Sequence, residues 1–475
     1  MFRIFPGTTT AVRRSGLLRS RIENRMIAVV GFSARSAGSS DADEFWQIVA
    51  GAVPQFAPAP FDRWREDSVL SHERSRPFTS YTNTMAALED PYGWDRAGFG
   101  IPVARARGMD PQQRLALTLA RETFDRAGRT PESVAGRGIG TIVGVSSNDY
   151  RMVTVAPVIA RMTTDGSFGV DDPEVKQRLM AGASSAIQRI GGYSMSGVLN
   201  NIIPSVVQQQ FDLNGPSFSV DSACSSGLTA IHLACTLIES GEVDECLAGG
   251  VYVALTPDVL IAFAQVGALS PTGRCQPFTA AADGFTLGEG GALLLLKNLE
   301  LARRDNDPIY AVIEGWGASS DGRAPGIMTP TSEGQVRAIR AARRRAGGDL
   351  PVDYIEGHGT GTTVGDAQEI LSVAGTDPDP AGPGLPIGSV KAIAGHTLAA
   401  SGALSMVKAV QMIRHQTVPP QPPVRTGVHP GLESTRLHVA GHRDRNRDVR
   451  RIAINSFGFG GANGHLLVSH PEGTL

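Results

Sequence analysis

Cys224 lies in the stretch from Ser219 to Ala230, SVDSACSSGLTA, where the character of the chain changes abruptly. An extended entry at Phe218 to Val220 runs into small residues. Leu228, Ile231, Ala234, Cys235 and Ile238 then follow at helical spacing. The pattern predicts a strand, a sharp elbow and a helix, with a thiol at the elbow. At the first turn of a helix, unpaired N–H groups favour a thiolate, which makes Cys224 a candidate nucleophile. Free cysteine is more often a small buried hydrophobe, so the reading depends on companions elsewhere in the chain.

Those companions are two histidines and a glycine-rich turn. His358 stands in EGHGTGT directly after a predicted strand, and His396 stands in AGHTLAASG at a predicted helix start. Each has glycine beside it, which lets a second backbone or a bound chain come close. One such histidine is ordinarily structural; two at strand ends, with an elbow thiol, make a nucleophile with acid–base partners. In SFGFGG (456–461), Gly458 and Gly460 flank Phe459. Such a turn can aim a backbone N–H into a site, as oxyanion stabilisation requires, while the ring gates access. Lys391 adds to the set, because only Lys176, Lys297, Lys391 and Lys408 are lysines among 44 basic residues.

Elements able to position these groups alternate through the chain. A strand from Ile27 to Val30 ends at a Gly31 turn, and DADEFWQIVAG then reads as a helix capped by Asp41 or Asp43. Asp110 and Pro111 open a second helix that Gly128 closes. IGTIVG is an all-apolar strand, as in a parallel sheet covered on both faces. Helices are expected within 151–190 and from Leu199 to Phe211. After the elbow, strand and helix alternate through LAGGVYVAL, IYAVIEGWG, SEGQVRAIRAARRRAG and YIEGHGTGTTVGDAQEILSVAG to the last strands in IAINSFGFGGANGHLLVS. The order is α/β throughout. The strand, turn and helix at Cys224 have an echo at Lys391 to Met412, which predicts a duplicated unit.

Composition sets the outer bounds. The 475 residues can bury a large core, and a formal net charge of −2 gives no global reason to expect nucleic acid. No apolar run reaches the roughly 18 residues of a membrane span. The four cysteines show no C-x-x-C or Cys/His metal spacing; Cys235 and Cys246 read as core, leaving Cys224 as the reactive thiol in a reducing, cytoplasmic setting. Residues 1–25, with six arginines and one acid, are expected to be a disordered or over-extended tail. The arginine clusters at 337–345 and 443–451 read first as solvated surfaces and second as docking sites for an acidic partner.

Four motifs together are more specific than any alone. DSACSSGL (221–228), EGHGTGTTVGDAQE (356–369), GSVKAIAGH (388–396) and NSFGFGGANGH (455–465) resemble the signatures of the β-ketoacyl synthases, in the same order. MDPQQR (109–114), LAGGV (247–251) and LSPTGRCQPF (269–278) extend the likeness, which covers residues 27–469. The resemblance implies a thiolase-like five-layered αβαβα fold of two duplicated halves, 26–275 carrying the cysteine and 276–475 the two histidines.

It also implies a mechanism. Cys224 takes an acyl group from a carrier as a thioester, and His358 and His396 promote decarboxylation of a malonyl-type extender whose carbanion attacks that thioester. The N–H groups of Cys224 and Phe459 hold the oxyanion. Lys391 pairs with Glu369 and orients the histidines, and Thr360 and Thr362 bind the pantetheine arm. The implied partner is an acyl carrier protein bearing phosphopantetheine, with no metal or cofactor of the chain's own. A homodimer is expected, and a heterodimer remains open.

Ser222 and Gly227 depart from the DTACSSSL of modular polyketide synthases, and Ala392, Ile393 and Ala394 from KSNIGH. The expectation is a discrete synthase of polyketide or specialised fatty acid biosynthesis. Two alternatives are a partner subunit that shapes the pocket of a heterodimer and an acyltransferase that uses the same thiol. The first usually lacks the cysteine; the second would not need both histidines.

Overall fold

The structure, a computed structural model, describes residues 25–74, 76–164, 172–178, 193–423 and 427–472. The expected N-terminal tail lies outside these residues apart from Arg25, and so does part of the expected 151–190 helical region, where Asp149–Thr164 is helical.

In the first half, β1 (Ile27–Ser36) is followed by α1 (Ala42–Ala50), α2 (Pro111–Arg126), β2 (Gly140–Gly144), α3 (Ile202–Phe211), β3 (Ser217–Val220), α4 (Ser226–Ser240), β4 (Glu245–Tyr252) and β5 (Gly290–Asn298). The second half runs β6 (Ala311–Ser320), α5 (Ser332–Arg345), β7 (Tyr354–Glu356), α6 (Thr363–Ala374), β8 (Leu385–Gly388), α7 (Ser401–His415), β9 (Leu437–Val439), β10 (Arg451–Gly458) and β11 (Ala462–Ser469). Local signals explain the helix starts. Asp41 caps α1 by accepting the N–H groups of Asp43 and Glu44, and Asp110 caps α2 ahead of Pro111.

The strands lie in the order β9-β8-β7-β10-β11-β6-β1-β5-β4-β2-β3. Within it the duplication is explicit. The run β3-β2-β4-β5-β1 recurs as β8-β7-β10-β11-β6, the same spatial order and chain order once the edge strand β9, which the second half adds outside β8, is set aside. The pairings match too: antiparallel for β1/β5, β5/β4, β6/β11 and β11/β10, and parallel for β4/β2, β2/β3, β10/β7 and β7/β8. The halves join where β1 pairs antiparallel with β6. β5 belongs to the first set, so the changeover falls between Asn298 and Ala311, later than the 275/276 division expected from the motifs.

Helices α2 and α3 cover the outer face of the first set of strands, α5 and α6 that of the second, and α4 and α7 fill the space between. These are the five layers of the thiolase-like architecture. The two central helices cross through glycines. A Cβ on Gly227 would stand 2.6 Å from Ala399 O, and one on Gly402 would stand 2.8 Å from Leu228 N. Gly227, one of the departures from the family pattern, is thus a point where the halves pack backbone to backbone.

One local expectation fails for a packing reason. β1 does not turn at Gly31 but continues to Ser36 through a register shift. Gly31 is small because a Cβ there would lie 2.4 Å from Thr123 O of α2. No helix among the described residues is long and apolar enough to cross a membrane.

Candidate active site

Cys224 sits in a 3-10 turn, Ala223–Ser225, between β3 and α4. The elbow is tight: Ala223 takes a left-handed φ of 53°, and its N–H donates to the Asp221 carboxylate at 2.9 Å. Serines replace the missing ladder. Ser225 Oγ donates to Ser222 O at 2.8 Å, and Ser226 Oγ donates to Ala223 O at 2.6 Å while accepting the Ser222 N–H at 2.9 Å. The second half repeats this shape without a thiol: Leu398–Ala400 is also a 3-10 turn, with Leu398 at φ 40°, leading into α7. Ala399 stands where Cys224 stands.

The glycine turn reaches the elbow from β10. Ser456 Oγ donates to Cys224 O at 3.1 Å, and a Cβ on Gly458 would lie 2.3 Å from Ser222 O. Gly460 and Gly461 turn the chain with φ of 88° and 81°. The backbone N–H groups of Phe459 and Cys224 act together on the Cys224 sulfur, as the charge of Lys391 does, and all three favour the thiolate. Burial outweighs them and pushes the thiol up to about 11. The helix-start argument therefore does not decide the protonation state: Cys224, 5% exposed, is a neutral thiol at neutral pH.

The two imidazole rings meet nearly at right angles, 5.6 Å apart between centroids. His396 is buried, its Nδ1 within 2.9 Å of Ser401 Oγ and its ring edge-on to Phe285 at 4.9 Å. His358 is partly buried, and its Nδ1 has no hydrogen-bond partner. Burial first, and then the Lys391 charge, holds both well below the ordinary histidine range, so both rings are neutral.

Lys391 and Glu369 do not form the ion pair expected from the motifs. They hold the His358 strand end from two sides. Lys391 Nζ donates to His358 O at 2.7 Å. Glu369 accepts the N–H groups of His358 and Gly359 at 2.7 and 2.8 Å and Asn455 Nδ2 at 2.9 Å. The reason is topological: Lys391 follows β8 and Glu369 lies on α6, so the loop after β7 passes between them.

Thr360 and Thr362 are linked through their hydroxyls at 2.9 Å. They line a cavity of about 500 Å³ together with Cys224, His358, His396 and Phe459. Phe459, 36% exposed, faces Phe263 with ring centroids 6.0 Å apart. Cys235 and Cys246 are fully buried, as read from the sequence. Three of the four lysines are buried as well: Lys391 in the site, Lys408 on Glu356 and Tyr354, and Lys297 on Glu245, Asp305 and Asp307.

Sequence reasoning missed the supports of these groups. Asp366 accepts the N–H groups of Phe278 and Gly361 at 2.7 and 3.1 Å, and burial pushes its carboxyl up to about 7. Its signal was present in GDAQE, where Asp366 and Glu369 share one helix face at i, i+3. Asn455, beneath Glu369, is held by His465 Nδ1 at 2.7 Å. The arginines at 337–345 are largely committed: Arg337 to Ser320 O, Arg343 to Thr376 O and Arg345 over Trp316.

The chain is similar to known proteins in both sequence and fold. The family models "Beta-ketoacyl synthase, N-terminal domain" and "Beta-ketoacyl synthase, C-terminal domain" match residues 24–302 and 310–425. The chain is 34% identical over 477 residues to the mycoketide-CoA synthase of Mycobacterium tuberculosis, with 97% of this chain and 11% of that protein covered. It is 37% identical over 467 residues to the erythronolide synthase EryA3 of Saccharopolyspora erythraea, covering 94% and 13%. It thus spans a small part of the length of either. Among solved structures, it resembles a mutant ketosynthase from module 6 of the bacillaene synthase of Bacillus subtilis 168, with TM-score 0.81, 28% identity, and 94% and 72% of the two chains covered. An oxazolomycin ketosynthase domain of Streptomyces albus JA3453 also gives 0.81 and 28%, covering 94% and 74%.

Proposed function

This chain belongs to the β-ketoacyl synthase family, and from that premise we propose that it extends carrier-bound acyl chains by decarboxylative Claisen condensation in polyketide biosynthesis. The observation that carries the reading is one cavity lined by a thiol and two neutral imidazoles, with two backbone N–H groups acting on the thiol sulfur.

In the first half-reaction, Cys224 Sγ attacks the thioester carbonyl of an acyl group on the phosphopantetheine of a carrier protein. The Cys224 proton passes to a neutral histidine and on to the departing carrier thiolate. The N–H groups of Cys224 and Phe459 hold the tetrahedral oxyanion, a donor worth about 3 kcal/mol in such sites. In the second, the extender's carboxylate leaves as CO₂, and the N–H groups of His358 and His396 hold the enolate oxygen. Carbon 2 then attacks the Cys224 thioester, and the Cys224 thiolate leaves and takes up one proton from solvent, which balances the carboxylate charge lost as CO₂. Covalent capture makes this step effectively intramolecular. Neutral histidines suit both duties, since each has a nitrogen to accept and an N–H to donate.

Lys391 and Glu369 position His358, while Thr360 and Thr362 receive the pantetheine arm at the cavity wall. Gly458 and Gly460 set the Phe459 turn, whose ring gates the acyl side. The two halves, with the cysteine in the first and the histidines in the second, act as one unit in the cytoplasm. A homodimer formed along β3 fits the open outer edge of that strand, where Phe218 is 37% exposed.

Incubation with an acyl-carrier and a malonyl-carrier, followed by mass spectrometry, tests the reading. Condensation gives an acyl adduct on Cys224, loss of CO₂ and a 3-oxoacyl product. Acylation without chain extension overturns it.

A further inference from the structure

Tyr252, at the end of β4, is fully buried, and its hydroxyl has no hydrogen-bond partner. Its direction follows from strand alternation. Gly250, two residues earlier, faces the central layer, where a Cβ would meet Ala399 O at 2.4 Å. Tyr252 therefore points to the same face and packs in one apolar cluster with Cys224, Met85, Leu260 and Leu398. Ser146 carries a second such hydroxyl just past the end of the adjacent strand. Gly144 of β2 pairs with Gly250, and a Cβ on it would lie 2.6 Å from Gly227 N at the start of α4. Two residues beyond, Ser146 Oγ is buried without a partner too. The chain just past β2 and the end of β4 thus carry unsatisfied hydroxyls on Ser146, Ser147 and Tyr252, near the β3 end that leads into the Cys224 elbow.

A buried hydroxyl without a partner costs about 1–3 kcal/mol, and few remain so in native proteins unless a ligand completes them. The neighbouring charged groups and Ser222 are already committed, whereas Ser147 Oγ and Thr286 Oγ1 are buried without a partner as well. Glu289 is held by Arg63, Leu88 N and Ala254 N, Asp149 by Leu255 N, and Ser222 Oγ by Thr229 and Ser225. Burial, together with the charges of Asp149, Glu289 and Asp258, keeps the Tyr252 phenol protonated and hence a donor. A hydroxyl set in an apolar wall selects a ligand by its oxygen, because an analogue without one leaves that hydroxyl unpaired.

We infer that Tyr252, with Ser146 beside it, is a specificity-determining residue whose hydroxyl donates to an oxygen borne near the thioester end of the acyl chain on Cys224. Acyl groups oxygenated at carbon 3 are therefore favoured over saturated ones. The inference rests on Cys224 holding the acyl group.

The test compares acylation of Cys224 by 3-hydroxyoctanoyl and octanoyl N-acetylcysteamine thioesters, followed by intact-protein mass spectrometry. Wild type is expected to prefer the 3-hydroxy chain, and Tyr252→Phe to lower the ratio of the two rates by about 3- to 10-fold, the range of one hydrogen bond. Ser146→Ala is expected to shift the ratio in the same direction. The unfolding midpoint of Tyr252→Phe should not fall, because the lost oxygen has no partner in the free protein. An unchanged ratio in both variants, or a clear fall in that midpoint, overturns the inference while leaving the condensing activity standing. Failure of wild type to accept either thioester overturns the acyl-holding role of Cys224 and the inference with it.

Discussion

Lys391 Nζ donates a 2.7 Å hydrogen bond to the main-chain carbonyl of His358, the residue whose N–H is accepted by Glu369. The buried ammonium thereby locks the strand end that carries one imidazole, and its charge disfavours protonation of both. Replacing it with Lys391→Met removes the positive charge, so both histidine pKa values rise. If neutral rings are the working form, the acid limb of the pH–rate profile for malonyl decarboxylation moves to higher pH, beside an overall loss of rate. A limb that stays in place would separate Lys391 from the histidine charge state.

The thiol of Cys224 provides a second pH signature. With its pKa pushed up to about 11 by burial, the thiolate fraction rises about tenfold per pH unit across the neutral range. Alkylation of Cys224 by iodoacetamide, read by mass spectrometry, is expected to climb from pH 7 to pH 9 without a plateau. Lys391→Met should slow it further, because the Lys391 charge favours the thiolate. A plateau near neutrality would mean that the start of α4 and the two N–H groups outweigh burial after all.

His396→Ala separates the two half-reactions. Loss of this buried ring should reduce malonyl decarboxylation by about 10²- to 10⁴-fold, the span of a positioned acid–base group. Acylation of Cys224 should survive, since His358 and both N–H donors remain. Decarboxylation at the wild-type rate would remove His396 from the step.

Gly458→Ala tests the contact between the turn and the elbow. The new Cβ would fall 2.3 Å from Ser222 O, with Cys224 N at 3.4 Å, so one backbone must shift. The expected result is a stability loss of about 1–3 kcal/mol and a larger fall in the rate of Cys224 acylation, as the Phe459 N–H leaves its place. Normal acylation by a folded Gly458→Ala protein would show that the Phe459 N–H is not needed.

Much of the fold was legible in the chain. Caps at Asp41 and Asp110 and the runs at 27–30, 139–144 and 247–255 marked elements that the structure contains, with strand bounds of Ile27–Ser36, Gly140–Gly144 and Glu245–Tyr252. Gly31 misled, because glycine signals either a turn or a close approach, and only the position of Thr123 O on α2 selects the second. The duplication was visible as an echo at Cys224 and Lys391, yet the matching turn is Leu398–Ala400, with Ala399 opposite Cys224. The changeover after Asn298 was hidden because β5 joins its half through pairing with β1 and β4, contacts remote in sequence.

The site divides the same way. Residue type and local spacing determined the thiol on an elbow, the histidines beside glycines and the Phe459 turn, since each depends on a few neighbouring residues. Tertiary structure decided how those groups are charged and held. Burial overrides the helix start at Cys224 and keeps both imidazoles neutral. The loop after β7 separates Lys391 from Glu369, and the chain just past β2 and the end of β4 leave Ser146 and Tyr252 without partners. Solvation and long-range packing set these properties, and both are sums over residues far apart in the chain.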